Sequence, residues 1–525
     1  MAEEDLLFGK NRHLFGGIEP SNMLSFVATS AYNADSSTPR VQLACTLPTD
    51  TVINSQTLCT VAGAVIRRST TGYPATEFDG DLVATITVNG IIYDTTNVVV
   101  GTTYYYSAFP FTTQGVYNRN NANRSNCKAL NYTYLFGYDL IVAKSDPSTR
   151  VVYPSGTDNT YYTPAAMNFS TGLFNYGSWP STAGSKFMPK PCMLNYNGTV
   201  AYYLNPADYT KKVDGTASDV ANTAFGGNAM MEWPKIYTKR EYVDGVYVFR
   251  CCDIKLDSSY DCWCNYDKNN KEINHFYTPI YFGSNSNSRL RSISGQGNYL
   301  NNTPATEISL ASANGAGWYT EVLADRLLIQ ELLVLMAKST DTQTAYGTGR
   351  CASGNTAAIG QGTMNTNGLF WGSTDQTSGV KVFGMENWWG NLFRRTAGWI
   401  SANGTQKVKL TQGTHDGSTA TDYNLNGAGY LTLAGATPAG TSAGYISDMK
   451  NDLPFGRIPV TAGGSSSAHE ADGLWFDNGV VSYAIVGGLW NVALLCGAFC
   501  VALHSTASGV STGTGAALSC KPLAV

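Results

Sequence analysis

At 525 residues the chain is long enough for three or four domains. Charged residues make up only 14% and the net charge is −4. With no Lys/Arg cluster longer than a pair, this excludes a phosphate-backbone footprint, hence a nucleic-acid partner. Hydrophobic residues at 43% and the modest net charge exclude wholesale disorder. Aromatic residues reach 12%, with 32 tyrosines and 54 glycines, a composition that suits strands with hydrogen-bonding surfaces and tight turns. The expected fold class is multidomain and mainly β, with an α+β C-terminal domain. The N-terminal MAEEDLLFGKNRHLFGG lacks the basic start, apolar core and cleavage site of a signal peptide. The twelve cysteines are therefore expected to be made in a reducing cytoplasm and kept as thiols, and the triplet at Asn131 carries no glycan.

Residues 1–40 scatter Leu6, Leu7, Phe8, Leu14, Phe15 and Ile18 among polar residues, too few for a core. They read either as a frayed terminus or as an arm that docks on a larger assembly. Residues 41–125 read as a β-sandwich, with strands over 41–46, 64–68, 82–88, 91–94 and 102–109 and a hairpin turn at Asn89-Gly90. The run from Val99 to Phe111, VVGTTYYYSAFPF, alternates aromatic and polar residues. It resembles the penultimate strand of fibronectin type III modules, and Arg67-Arg68 with Tyr73-Pro74 resembles the modules of this kind in phage tail proteins. Residues 126–227, rich in Tyr, Asn and Pro, read as a β-rich linker domain.

From 228 the pattern changes. Segment 321–338 (EVLADRLLIQELLVLMAK) predicts a deeply packed helix, capped by Thr320, with Asp325, Arg326, Gln330 and Glu331 left outside. A second helix is predicted over 388–399. Glycine- and threonine-rich loops fill 350–380 and 401–445. The stretch 473–520 is set apart: no charged residue occurs from Val480 to Leu503. A membrane span is disfavoured, because Gly487, Gly488, Asn491 and Gly497 interrupt it and no Lys or Arg anchors it. Short buried strands joined by glycine turns fit better. A frame of Gly487, Gly488, Trp490, Gly497, Phe499, Gly515 and Leu518 would hold positions whose identity it does not dictate.

The region 228–525 resembles the C-type-lectin-like fold in its formylglycine-generating-enzyme variant. The matching residues are Gly384 to Phe393 (GMENWWGNLF), Gly487-Gly488-Leu489-Trp490 and the closing Gly515 to Cys520. With Leu290 to Gly295, Lys338 to Gln343, Tyr346 to Gly349 and Gly368 to Gly372, the domain is similar to the terminal domain of phage tail-tip and tail-fibre proteins. Some of these are variable proteins of diversity-generating retroelements, rewritten at adenines of a template repeat. Rewriting an AAC codon yields Leu, Val, Ala, His, Ser, Thr and Gly, but not Lys, Glu, Gln, Met or Trp. Residues 489–514 hold no Lys, Glu, Gln or Met, and Trp490, whose codon TGG has no adenine to rewrite, would persist as part of the frame. A Gly/Ala/Ser/Thr-rich β end without mutagenesis accounts for the pattern as well.

Chemistry finds little purchase. Cys251-Cys252 and Cys262-x-Cys264 lack the spacing of a zinc site and read as buried thiols. Cys496 and Cys500 fall where formylglycine-generating enzymes carry metal-binding cysteines, but with three intervening residues rather than four. His13, His275, His415, His469 and His504 are scattered, and Ser465 to Glu470 is a polar loop rather than a triad. Glu386 reads as a core hydrogen-bonding residue. Asp375, Asp416, Asp422 and Asp472 leave a structural Ca²⁺ open, without an EF-hand run. The expectation is no enzyme, no catalytic residue, no metal and no other cofactor.

What the resemblance implies is a phage tail-fibre or tail-tip adhesin, made in the host cytoplasm and located in the virion. Its partners would be a host cell-surface protein or glycan and other tail proteins, in a homotrimer, without membrane insertion. The receptor-binding residues are expected to be Leu489, Trp490, Val492, Leu494, Leu495, His504, Ser505, Thr506 and Ser511. The alternative is a structural or decoration protein of the virion with the same fold and no host-binding role.

Overall fold

The segment Arg40–Thr46 buries every second side chain, Val41, Leu43 and Cys45, the two-residue period of a strand with one face on a core. The same logic runs through the N-terminal part of the computed structural model, which describes residues 18–31, 39–130, 132–410 and 421–524, with the backbone alone at 421 and 422. Residues 1–17 and 32–38 of the expected docking arm, His13 among them, lie outside the described residues, as do Asn131, His415 and Asp416. The chain divides into two compact units, Met1–Tyr134 and Leu135–Val525.

Among the described residues the first unit has two main antiparallel sheets and a small two-stranded one, Thr51–Ile53 with Gln56–Cys59. Ser25–Ala31, Arg40–Thr46 and Gly90–Asp94 form one main sheet; Asp81–Ile86, Val61–Ser69, Thr103–Thr112 and Arg124–Lys128 form the other. Val41, Leu43, Ala64, Ile66, Tyr104 and Tyr106 from both sheets share one core. The buried Arg68 guanidinium is paired at 2.7 Å with Asp94, whose carboxylate also accepts from Tyr106 Oη at 2.9 Å. The five expected strands are present with shifted ends. Asn89-Gly90 is not a hairpin turn. It carries the chain from one sheet to the other, and Asn89 Oδ1 accepts the Leu47 amide at 2.8 Å beside the pairing of Arg40–Thr46 with Gly90–Asp94. The sandwich also takes in Ser25–Ala31, inside the segment read as an arm.

In the second unit a seven-stranded sheet runs Asp208–Lys212, Val200–Asn205, Lys190–Asn195, Gly227–Pro234, His275–Pro279, Leu518–Cys520, Trp318–Thr320. Residues read from sequence as a linker therefore share a sheet with the extreme C-terminal strand. The largest sheet has ten strands, with Phe393–Ala402, Val481–Val486 and Val501–Ser505 adjacent at its middle. The helix Leu323–Ala337 is buried along nearly its whole length. No helix among the described residues is long and apolar enough to cross a membrane.

Three helix expectations fail for physical reasons. Thr320 is not the cap: it belongs to the strand Trp318–Thr320, and Val322 starts the helix without a side-chain bond. Asp325, Arg326, Gln330 and Glu331 are not outside but buried. Asp325 pairs with Lys521 at 2.8 Å, Arg326 with Glu321 at 3.5 Å and Glu331 with Arg240 at 2.6 Å, which offsets a desolvation cost that unpaired charges could not bear. Finally, 388–399 is not helical. Asn387, Gly390 and Asn391 take φ of +54°, +66° and +61°, which breaks any helix, and the chain enters the strand Phe393–Ala402 instead.

Candidate functional site

The candidate site grows from the register of three central strands. Val486 pairs with Arg394 on one side and Val501 on the other. The chain between Val486 and Val501 is thus a loop thrown from one end of the sheet. A second loop leaves Ser505, opposite Tyr483, and returns so that Thr514–Gly515 pairs in parallel with Phe393 and Arg394.

The backbone of the first loop is held by groups outside it. Trp490 N donates to Asn391 O at 3.2 Å, and its carbonyl accepts from Asn355 Nδ2 at 2.8 Å. Ala493 N donates to Cys351 O at 2.7 Å. Gln343 Nε2 donates to the carbonyls of Leu494 and Cys496 at 2.9 and 2.6 Å. Arg326 Nη2 and Gln330 Nε2 both donate to Ala498 O, at 2.9 and 2.7 Å, and Phe499 N donates to Asp472 Oδ2 at 2.7 Å. Glycine is required at Gly488, where φ is +91° and a Cβ would lie 2.5 Å from that of Cys496. The second loop is anchored at Gly509, whose carbonyl accepts from Arg395 Nη2 at 3.1 Å and Tyr483 Oη at 3.2 Å. It is anchored again at Gly513, whose carbonyl accepts from Phe393 N at 3.0 Å.

Side chains on these loops sort by exposure. All nine expected contact residues reach solvent: His504, Thr506 and Ser511 are exposed, and Leu489, Trp490, Val492, Leu494, Leu495 and Ser505 are half-buried. The frame positions Gly487, Gly488, Gly497, Phe499, Gly515 and Leu518 are buried; Trp490, expected in both roles, is half-buried. Leu489 and Ser511 both border Gly513, where a Cβ would lie 2.8 Å from Leu489 Cδ1 and 3.4 Å from Ser511 Oγ. His504 sits three residues along the strand from Val501, about 10 Å further on. Crowding by its surroundings pushes the His504 imidazole below its ordinary value, and Asp477 opposes the shift.

Beneath the loops the sequence reading missed a layer of amides and buried charges. Asn391 exchanges two side-chain hydrogen bonds with the backbone of Ile359, at 2.8 and 3.3 Å. Glu386 accepts from the amides of Gly362 and Met364 at 2.8 and 2.9 Å, the hydrogen-bonding core role expected of it. Lys381, pushed down to about 7 by burial, donates to Met364 O at 2.8 Å. The only signal for this layer in the sequence was the glycine- and threonine-rich loop 350–380 lying upstream of the GMENWWGN motif.

The candidate chemical groups are occupied structurally. Cys251, Cys252, Cys262, Cys264, Cys496 and Cys500 are all buried, and burial pushes the Cys496 and Cys500 thiols well up, the opposite of an activated thiolate. Glu470, beside His469, pairs with Arg457 at 2.7 Å and Arg150 at 3.3 Å. Asp375 accepts from the amides of Thr377 and Ser378, both at 2.8 Å. Among the described residues no group of three or more His, Cys, Asp or Glu is arranged to hold a metal ion. A cleft of about 310 Å³ lies elsewhere, lined by Trp263, Leu431, Pro454 and Phe455 among others and by none of the nine residues. No protein-family model matches the chain, and no curated protein matches it.

Proposed function

We propose that the chain is a non-enzymatic adhesin of a phage tail fibre or tail tip, which binds a host cell-surface receptor through the two loops after Val486 and Ser505. The observation that carries this reading is the separation of backbone from side chains. The loop 489–496 is fixed by Asn355, Asn391, Cys351 and Gln343, while the side chains of Leu489, Trp490, Val492, Leu494 and Leu495 reach solvent. Such a surface tolerates replacement of its side chains, as recognition loops must. That is also the property a retroelement-diversified segment needs.

Other features support the wider reading. The three-plus-four arrangement of antiparallel strands in the first unit is consistent with a fibronectin-III-like spacer. A helix packed against a mixed C-terminal architecture is consistent with a lectin-like display domain. The assembly is a homotrimer in the virion, where avidity raises weak affinity by roughly 10²–10⁴.

The test is binding of the whole chain to a panel of bacteria, against a variant with Leu494, Leu495, His504 and Thr506 all changed to Ala. The whole chain is needed because residues 190–234 share a sheet with Leu518–Cys520. Binding by the parent and loss in the folded variant is the expected result. No binding to any host, together with burial of the 489–511 surface in isolated virions, would instead establish the decoration-protein reading. A monomer by light scattering would remove the trimer.

A further inference from the structure

Cys351 and Cys496, far apart in sequence, meet beneath the first loop. Their sulfurs lie 3.7 and 3.2 Å from one and the same acceptor, the carbonyl oxygen of Thr348. Both side chains are fully buried, and the side chain acting most strongly on the Cys496 thiol is Cys351 rather than Cys500. The backbone on either side is independently held. Cys351 N donates to Gln376 O at 2.9 Å, while the Cys351 carbonyl accepts from Ala493 N at 2.7 Å. Cys496 O accepts from Gln343 at 2.6 Å. Two thiols that share one buried acceptor are close neighbours, the placement from which a disulfide, which demands close approach of its two β-carbons, can be formed.

We propose that Cys351 and Cys496 form a disulfide when the protein passes from a reducing to an oxidising medium, stapling the loop that begins at Arg350 to the loop 489–496. The oxidant is an external disulfide such as oxidised glutathione. One cysteine gives up its proton and attacks the reagent, whose S–S bond breaks and releases one glutathione thiolate. The second cysteine gives up its proton and displaces the other glutathione, forming the protein S–S bond. The two electrons and two protons leave with the two glutathione thiols produced. Because both sulfurs are buried, exchange is slow in the folded state and proceeds through opening of the loop. The staple locks the segment whose carbonyl pins Ala493, so it fixes the platform without touching the exposed side chains. It stands independently of the receptor-binding reading.

The whole protein is incubated with oxidised glutathione or with a reductant, in buffer and in mild urea, then denatured, alkylated, digested and mapped by mass spectrometry. The expected result is a Cys351–Cys496 linked peptide in the oxidised sample only, with two of the twelve cysteines protected from alkylation. A higher melting temperature of the oxidised form should accompany it and be absent in both Cys351→Ala and Cys496→Ala. Either variant suffices if the other does not fold. Alkylation of all twelve cysteines after oxidation in urea overturns the proposal, and so does a Cys496–Cys500 link in place of the expected one.

Discussion

Asn355 donates from its side-chain amide to the carbonyl oxygen of Trp490 at 2.8 Å, and the same amide reaches Gln376 O at 3.0 Å. One side chain thus ties the loop 489–496 to the glycine- and threonine-rich segment 350–380 beneath it. Asn355→Ala should cost about 1 kcal/mol, the usual worth of such a bond, and speed hydrogen exchange at the Ala493 amide. Val492→Ala and Leu494→Ser, on half-buried side chains of the same loop, should each stay within about 1 kcal/mol and leave that exchange rate unchanged. Urea denaturation and exchange mass spectrometry read both. Equal loosening by all three variants would show that the loop's side chains, not its anchors, hold it.

Gly488 sharpens the same contrast. Its φ of +91° is foreign to L side chains, and an added Cβ would press on Cys496 at 2.5 Å. Gly488→Ala should destabilise by roughly 2–5 kcal/mol, combining backbone strain with overpacking. Gly354, in the neighbouring loop, has open space around it and no positive φ, so Gly354→Ala should change stability by about 0.5 kcal/mol or less. Thermal melts of the two variants side by side decide the point.

How the sequence reading fared follows from the range of the forces involved. Strands such as Arg40–Thr46 and the helix at Leu323–Ala337 were legible because local periodicity sets them. The absence of charge pointed to buried strands, and 496–503 are buried, while the solvent-reaching positions His504, Thr506 and Ser511 were expected only through the resemblance to variable recognition segments. What failed was long-range. Asp325, Arg326 and Glu331 looked like surface residues because their partners Lys521, Glu321 and Arg240 are set by tertiary contact. The stretch from Trp388 looked helical because nothing local announces that Asn387 and Asn391 are left-handed. Asn89-Gly90 looked like a hairpin turn, since a sheet-to-sheet crossing can use the same dipeptide. The anchors Gln343, Cys351 and Asn355 could not be assigned to the loop at all, because they come from segments far from it in sequence.

Asn391 joins the two levels. It adopts φ +61°, bonds the Ile359 backbone twice through its side chain, and offers its carbonyl to Trp490 N. Asn391→Gly keeps the backbone conformation and loses only the side-chain bonds; Asn391→Ala loses both. The expected order of stability is parent, then Gly, then Ala, with the alanine variant down by roughly 2–4 kcal/mol. Chemical denaturation measures it, and a glycine variant less stable than the alanine variant would contradict the left-handed role.

Glu307 predicts a pH dependence whose sign is fixed by its burial. It pairs with Arg395, and both are buried. Burial nevertheless raises the carboxyl from 4.5 to about 7, Arg395 opposing the shift. Between those values the folded protein holds a proton that the unfolded chain has released. Glu307 therefore contributes stability that is fully present below about pH 4.5 and is lost as the pH rises to about 7, at most roughly 3 kcal/mol in all. Glu307→Gln should remove that slope, so the difference between parent and variant denaturation midpoints should change across pH 4.5–7 and level off above it. Arg395→Met should extend the upper edge of the window to higher pH, because it deletes the charge that opposes the shift, while the lower edge stays at the unfolded value. It also frees Gly509 O from one of its two donors, so faster exchange around the second loop should accompany it. A parent-minus-variant difference that is flat across the window would mean that Glu307 keeps an ordinary carboxyl value and that the Arg395 pair outweighs its burial.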